Sequence, residues 1–71
     1  MKLTKRQSDV LAFIEVSMMR NGSSPSIREI ADGMGVQIHS IHTHLRKLRN
    51  AGAITFEDRK ARTIQIVARK Q

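Results

Sequence analysis

His39-Ser40-Ile41-His42-Thr43-His44-Leu45-Arg46-Lys47-Leu48-Arg49-Asn50 gathers all three histidines of the chain, two hydroxyls and three permanent cations into one stretch. Such side chains can bind a metal, relay protons, or donate hydrogen bonds to an anionic partner. Turned at about 100° per residue, the segment begins to separate these options. Ile41, Leu45 and Leu48 fall on one line and belong in a core. The opposite face carries His39, Thr43, Arg46, Lys47 and Asn50, with His42 on one flank and Ser40 on the other. A helix that is apolar behind and hydrogen-bonding in front suits base edges and phosphates. Arg46 can grip guanine O6 and N7 with two bonds, and Thr43 can meet a thymine methyl or donate a hydrogen bond.

Such a helix must be held by others. Ser26-Ile-Arg-Glu29 reads as a capping box that opens a short helix over residues 27–34. That helix should bury Ile27, Ile30, Ala31 and Met34, and Gly35 suits the left-handed residue that closes it. Gly33 sits inside it at a cost of about 1 kcal/mol relative to Ala; close helix packing is one reason for a glycine there. Two short helices joined by a glycine-bearing turn form a helix-turn-helix. Its second helix, expected over residues 39–51, would lie in the major groove with its N-terminal part against base edges. This predicts His39, Ser40, His42, Thr43 and Arg46 as base-reading residues, with Lys47, Arg49 and Asn50 on phosphates.

Upstream, Thr4-Lys-Arg-Gln7 is a second capping box. Val10, Leu11, Ile14 and Met18 follow at helical spacing, predicting a first helix over residues 5–19. Asn21-Gly-Ser-Ser-Pro25 reads as a loop. Downstream, residues 54–57 and 63–67 alternate apolar and polar side chains, the strand period. Between them Asp58-Arg-Lys-Ala-Arg62 makes a basic hairpin tip. The fold class is therefore mainly α with a small β-hairpin, a three-helix winged helix-turn-helix in a single domain over residues 1–71, its wing at 54–67. Arg59, Lys60 and Arg62 would reach phosphates or the adjacent minor groove, a sequence-tolerant and salt-sensitive contribution. Lys5, Arg6 and Gln7 are further candidates for backbone contact.

Charge points the same way. The chain carries 13 Lys+Arg against 6 Asp+Glu, a formal net charge of +7. Residues 46–71 hold eight of those cations and only two of the acids, so the excess lies with the third helix and the hairpin. Such a patch attracts a polyanion. A membrane surface is disfavoured, because Phe56 is the only aromatic in the basic half. No apolar run nears the roughly 18 residues that span a bilayer, and no signal peptide is recognised. The absence of cysteine fits a reducing compartment, so a cytoplasmic, nucleoid-associated location is expected.

Other chemistries fit poorly. His39 and His42 are neighbours on a helix, but His44 projects elsewhere and no cysteine or carboxylate completes a tetrahedral set. The chain has no Gly-rich phosphate loop, HExxH or GxSxG, so neither an enzyme nor a cofactor is expected. Two rivals to sequence-specific DNA binding remain: a winged helix that holds an acidic protein partner, and a non-specific binder driven by charge.

Leu3-Thr-Lys-Arg-Gln7, Gly22-Ser-Ser-Pro-Ser-Ile-Arg-Glu-Ile-Ala31, Ser40-Ile-His-Thr-His-Leu45 and the Ala51-Gly52-Ala53-Ile54 exit occur in one order. With them the chain resembles the N-terminal DNA-binding domain of the LexA repressor family, from Leu3 to Val67. Its histidine-rich third helix is more similar to that of Gram-positive repressors than of enteric ones. The resemblance implies an SOS-type transcriptional repressor of double-stranded DNA, on a palindromic operator whose half-sites each take one domain. It places the groove-reading segment on Ile38, His39, Ser40, His42 and Thr43, and Ile38 enters on this ground alone. Ile38 and His39 depart from the small polar residues of the family, and the turn from Gly35 to Leu45 is one residue shorter. Both departures bear on which bases are read. The family's repressors continue into a self-cleavage site and a Ser/Lys peptidase domain that also dimerises. This sequence ends just past the hairpin. The expectations are therefore no self-cleavage, a monomer or weak homodimer on DNA, and either an excised domain or a small regulator of phage type.

Overall fold

The computed structural model describes residues 3–67. The first helix, α1, spans Lys5–Asn21. It starts where predicted: Gln7 N–H donates to Thr4 Oγ1 at 3.2 Å, and Thr4 N–H donates to Gln7 Oε1 at 3.1 Å. Losing such a cap costs about 0.5–2 kcal/mol. The helix runs two residues past the predicted end at 19, because Gly22 is the capping residue and its N–H donates to Met18 O at 2.8 Å.

The second helix, α2, covers Ile27–Met34 behind the Ser26/Glu29 box, whose bonds measure 2.9 and 3.1 Å. Gly35 closes it at φ 69°, a left-handed conformation that costs a glycine nothing. Gly35, Val36 and Gln37 then form the turn into the third helix, α3, which spans Ile38–Asn50. This helix begins one residue before the predicted start at 39, with Gln37 as its extended N-cap. It also ends earlier than the predicted 51, since Ala51 is the C-cap. Gly52 beyond it is left-handed, and Ala53 N–H reaches back to Leu48 O at 3.0 Å.

The three helices enclose Val10 and Ile14 of α1, Ile30 and Ala31 of α2, and Ile41, Leu45 and Leu48 of α3. The predicted line on α3 is the line found. Leu11, Met18, Ile27 and Met34 are only half-buried and pack around its edge. Gly33 has its reason in this packing: the Phe13 ring of α1 lies where a Cβ would stand. Any larger residue there would force the Phe13 ring to move.

Two short strands, β1 (Ile54–Thr55) and β2 (Gln65–Ile66), pair antiparallel with Ile54 opposite Ile66 and Thr55 opposite Gln65. They are shorter than the predicted 54–57 and 63–67, and the cause lies at the tip. Glu57 N–H bonds the Thr63 hydroxyl at 2.9 Å instead of a strand carbonyl. Arg59 and Arg62 adopt left-handed φ of 67° and 60°, which costs roughly 1–2 kcal/mol per residue with a side chain. The chain leaves extended geometry early to make this turn. Ala53, Ile54 and Ile64 carry the hairpin's share of the core.

The loop between α1 and α2 also reaches the hairpin. Ser24 is buried, and its Oγ accepts the Ile64 N–H at 3.2 Å while donating to Pro25 O at 3.0 Å. A segment expected as a plain connection therefore anchors the residue that leads into β2.

Candidate nucleic-acid interface

With Ile41, Leu45 and Leu48 buried behind it, α3 turns His39, His42, Thr43, Arg46, Lys47 and Asn50 to solvent. The side chains of His39, His42, Arg46, Lys47 and Asn50 make no hydrogen bond or ion pair with other described residues. Their donors are therefore free for an external partner. Ile38 is 41% exposed at the first turn, an apolar side chain held outward. Ser40 is half-buried on the flank, as the helical mapping placed it. The Thr43 hydroxyl donates to His39 O at 3.2 Å, so in this conformation Thr43 offers its methyl and acceptor lone pairs.

One residue at this end escaped the sequence reading. Gln37 is exposed and forms the N-cap of α3 without any side-chain cap bond. Its amide is left free beside the first turn. The signal was present, because Gln is not among the residues that cap well.

His44 lies apart from the other two histidines. It is half-buried between α3 and α1, and its Nδ1 is buried without a partner. Burial, then the nearby Arg6 and Lys47 charges, holds its pKa below the ordinary histidine value. It is a partly packed side chain beside the buried line of α3. Among the described residues no group of three or more His, Cys, Asp or Glu side chains could hold a metal ion.

The wing cations are placed differently. The Arg62 guanidinium, expected on phosphates, grips both oxygens of Glu29 on α2 at 2.8 and 3.0 Å and donates to Ser24 O at 3.1 Å. Those hydrogen bonds hold the Glu29 carboxyl below the usual range and raise Arg62 above its own. Arg49 is also engaged within the protein. Its guanidinium stacks 4.1 Å from the Phe56 ring centre and donates to Phe56 O and Asp58 Oδ1, each at 3.3 Å. Lys60 sits 3.6 Å from Glu57, both largely exposed, a pair worth little in water. Arg59 alone of the wing cations has no ion pair among the described residues. Lys5 pairs with Asp9 at 3.5 Å, and Gln7 is buried in its capping box, while Arg6 in the first turn of α1 has no ion pair among the described residues.

The arrangement can do one thing well. Helix α3 presents unsatisfied donors and two cations without an ion pair among the described residues, Arg46 and Lys47, while bonds inside the protein fix the wing beside it. That is the equipment for a polyanion whose surface also offers hydrogen-bond acceptors. No helix among the described residues is long and apolar enough to cross a membrane.

Comparison with known proteins agrees. The LexA DNA binding domain family matches residues 1–63. The LexA repressor of Bacillus cytotoxicus is 39% identical over 71 residues, covering 99% of this chain and 34% of that protein. The LexA repressors of Bacillus mycoides and Bacillus anthracis are each 42% identical over 67 residues, or 93% of this chain. The chain thus spans about one third of the length of the repressors it matches. Sequence order, the helix-turn-helix with its wing and the near-complete coverage converge, and the chain belongs to the LexA DNA-binding domain family.

Proposed function

We propose that this chain binds double-stranded DNA sequence-specifically and represses transcription by occupying a promoter. The observation that carries the reading is the row of unpartnered donors on α3, set opposite a fully buried apolar line on a helix-turn-helix. In the major groove the N-terminal half of such a helix meets base edges. Arg46 would grip a guanine, and His39 and His42 would donate to acceptors. Thr43 and Ile38 would meet thymine methyls, and Gln37 and Ser40 would lie at the groove's edge. Lys47, Asn50, Arg59 and Lys60 would hold phosphates. Arg49 and Arg62 would contribute chiefly by fixing the wing, since their guanidinium groups are already engaged.

On this reading the operator is a palindromic SOS-type sequence, with one domain per half-site. A weak homodimer on DNA and action in the cytoplasm at the nucleoid belong to the same reading. The rival readings are told apart by binding to an operator duplex and to a scrambled duplex of equal length, each across a range of salt concentrations. Preference for the operator supports specific repression. Equal affinity with a steep salt slope would mark a charge-driven binder, and failure to bind either would point to a protein partner.

A further inference from the structure

The wing does not close completely on the helices. Between the tip and α3 lies a cavity of about 240 Å³, floored by the buried Leu45 and Ile64 and walled by Pro25, Ile27 and Phe56. Hydrophobic walls with a few polar groups at the mouth are the usual make-up of a small-molecule site. At this volume one aryl group or a short acyl chain fits.

The charges around the mouth decide the ligand's polar end. Glu57 and Lys60 face each other, Asp58 is held by Arg49, and Arg62 is held by Glu29. That leaves Arg59, whose side chain has no ion pair among the described residues and whose backbone is left-handed at φ 67°. His42 of α3 lines the same cavity without a bonding partner. The uncompensated charge at the mouth is thus positive, above a hydrophobic floor.

We infer that this cavity is a binding site for a small amphipathic anion, an aryl or short acyl body carrying one carboxylate, with the body on Leu45, Ile64 and Phe56 and the acid on Arg59. The site has a consequence that rests on the DNA-binding reading. Arg59 and His42 are also placed to face DNA, so the anion and the duplex compete for them. Occupancy then lowers DNA affinity, and the wing cavity works as a site for a releasing effector.

The probe is 2-naphthoate, with its uncharged amide as control, titrated into the ¹⁵N-labelled chain and followed by amide chemical shifts. Saturable shifts confined to Ile27, Phe56, Arg59, Ala61 and Ile64 are expected. Arg59→Ala should weaken naphthoate about threefold to fivefold, the worth of an exposed ion pair. Ala61→Trp, which blocks the mouth, should abolish binding while the dispersed spectrum shows that the fold persists. Absent or scattered shifts, equal binding of the amide, or full binding by Ala61→Trp would overturn the site. The second arm measures duplex affinity with and without naphthoate. Weaker duplex binding by the unaltered chain but not by Ala61→Trp supports the competition, and an unchanged affinity with naphthoate bound overturns it. A chain that binds naphthoate but no duplex would refute the DNA-binding reading and the competition while leaving the cavity site standing.

Discussion

The outer face of α3 and the wing carry similar numbers of cations but use them differently. On α3, Arg46 and Lys47 stand free, as do His39, His42 and Asn50. In and around the wing, Arg62 is committed to Glu29 and Ser24, Arg49 to Phe56 and Asp58, and Lys60 faces Glu57. The difference follows from what lies behind each surface. A helix satisfies its own backbone and rests on Ile41, Leu45 and Leu48, so its front is left for a ligand. A hairpin with two residues per strand cannot stand alone. It borrows side chains, and the cations nearest the core become its fasteners. Counting positive charge therefore overstates how many groups reach DNA.

The largest effect should come from the residue both surfaces rest on. Leu45→Ala removes the shared floor, and a loss of about 2–5 kcal/mol is expected in thermal or urea unfolding. If the hairpin kept its chemical shifts while the helices loosened, the two regions would be less coupled than the packing implies. Next comes the free face. Arg46→Ala should cost about 1–3 kcal/mol in operator binding and relax preference at one base pair. A uniform loss across all duplexes would reassign Arg46 to phosphate.

In the wing, Arg59→Ala should weaken every duplex alike and lower the salt slope by about 0.9. Arg62→Met should leave that slope nearly unchanged and instead lower the melting temperature and loosen the wing amides. Equal slope changes from both variants would erase the distinction between free and committed cations.

Those fasteners are also what the sequence hid. Local features were legible: both capping boxes, the left-handed Gly35, and the period that buries Ile41, Leu45 and Leu48 follow from neighbours within four residues. The Arg62–Glu29 pair joins positions 33 apart, and no local rule tells a committed guanidinium from a free one. Gly33 became intelligible only with the Phe13 ring against it. The strand ends were misjudged because alternation continues through Phe56 and Thr63, whereas the left-handed tip and the Thr63 hydroxyl bond end the pairing sooner. The solvent-facing side of α3 could be mapped by rotation alone. Gln37, just outside the predicted helix, could not.

The smallest effect concerns pH. The His44 pKa is lowered in the folded state, so the unfolded chain takes up the proton first. Stability should fall as pH drops below the ordinary histidine value of 6.5 towards the folded value. His44→Gln should flatten that part of the profile in unfolding experiments. Glu29 adds a second loss at lower pH: its folded pKa is depressed, so the stability of its Arg62 pair is present above 4.5 and is lost as pH falls through the folded value. A profile for Glu29→Gln identical to that of the unaltered chain below 4.5 would count against this fastener.

The most direct test of the account is fluorescence anisotropy at physiological salt with a palindromic SOS-type duplex and a scrambled duplex of equal length, for the unaltered chain and for Arg46→Ala. The account predicts clear preference for the palindrome, reduced by Arg46→Ala. Equal affinity of the unaltered chain for both duplexes would contradict it, because the free face of α3 would then be a patch of charge and not a reader of bases.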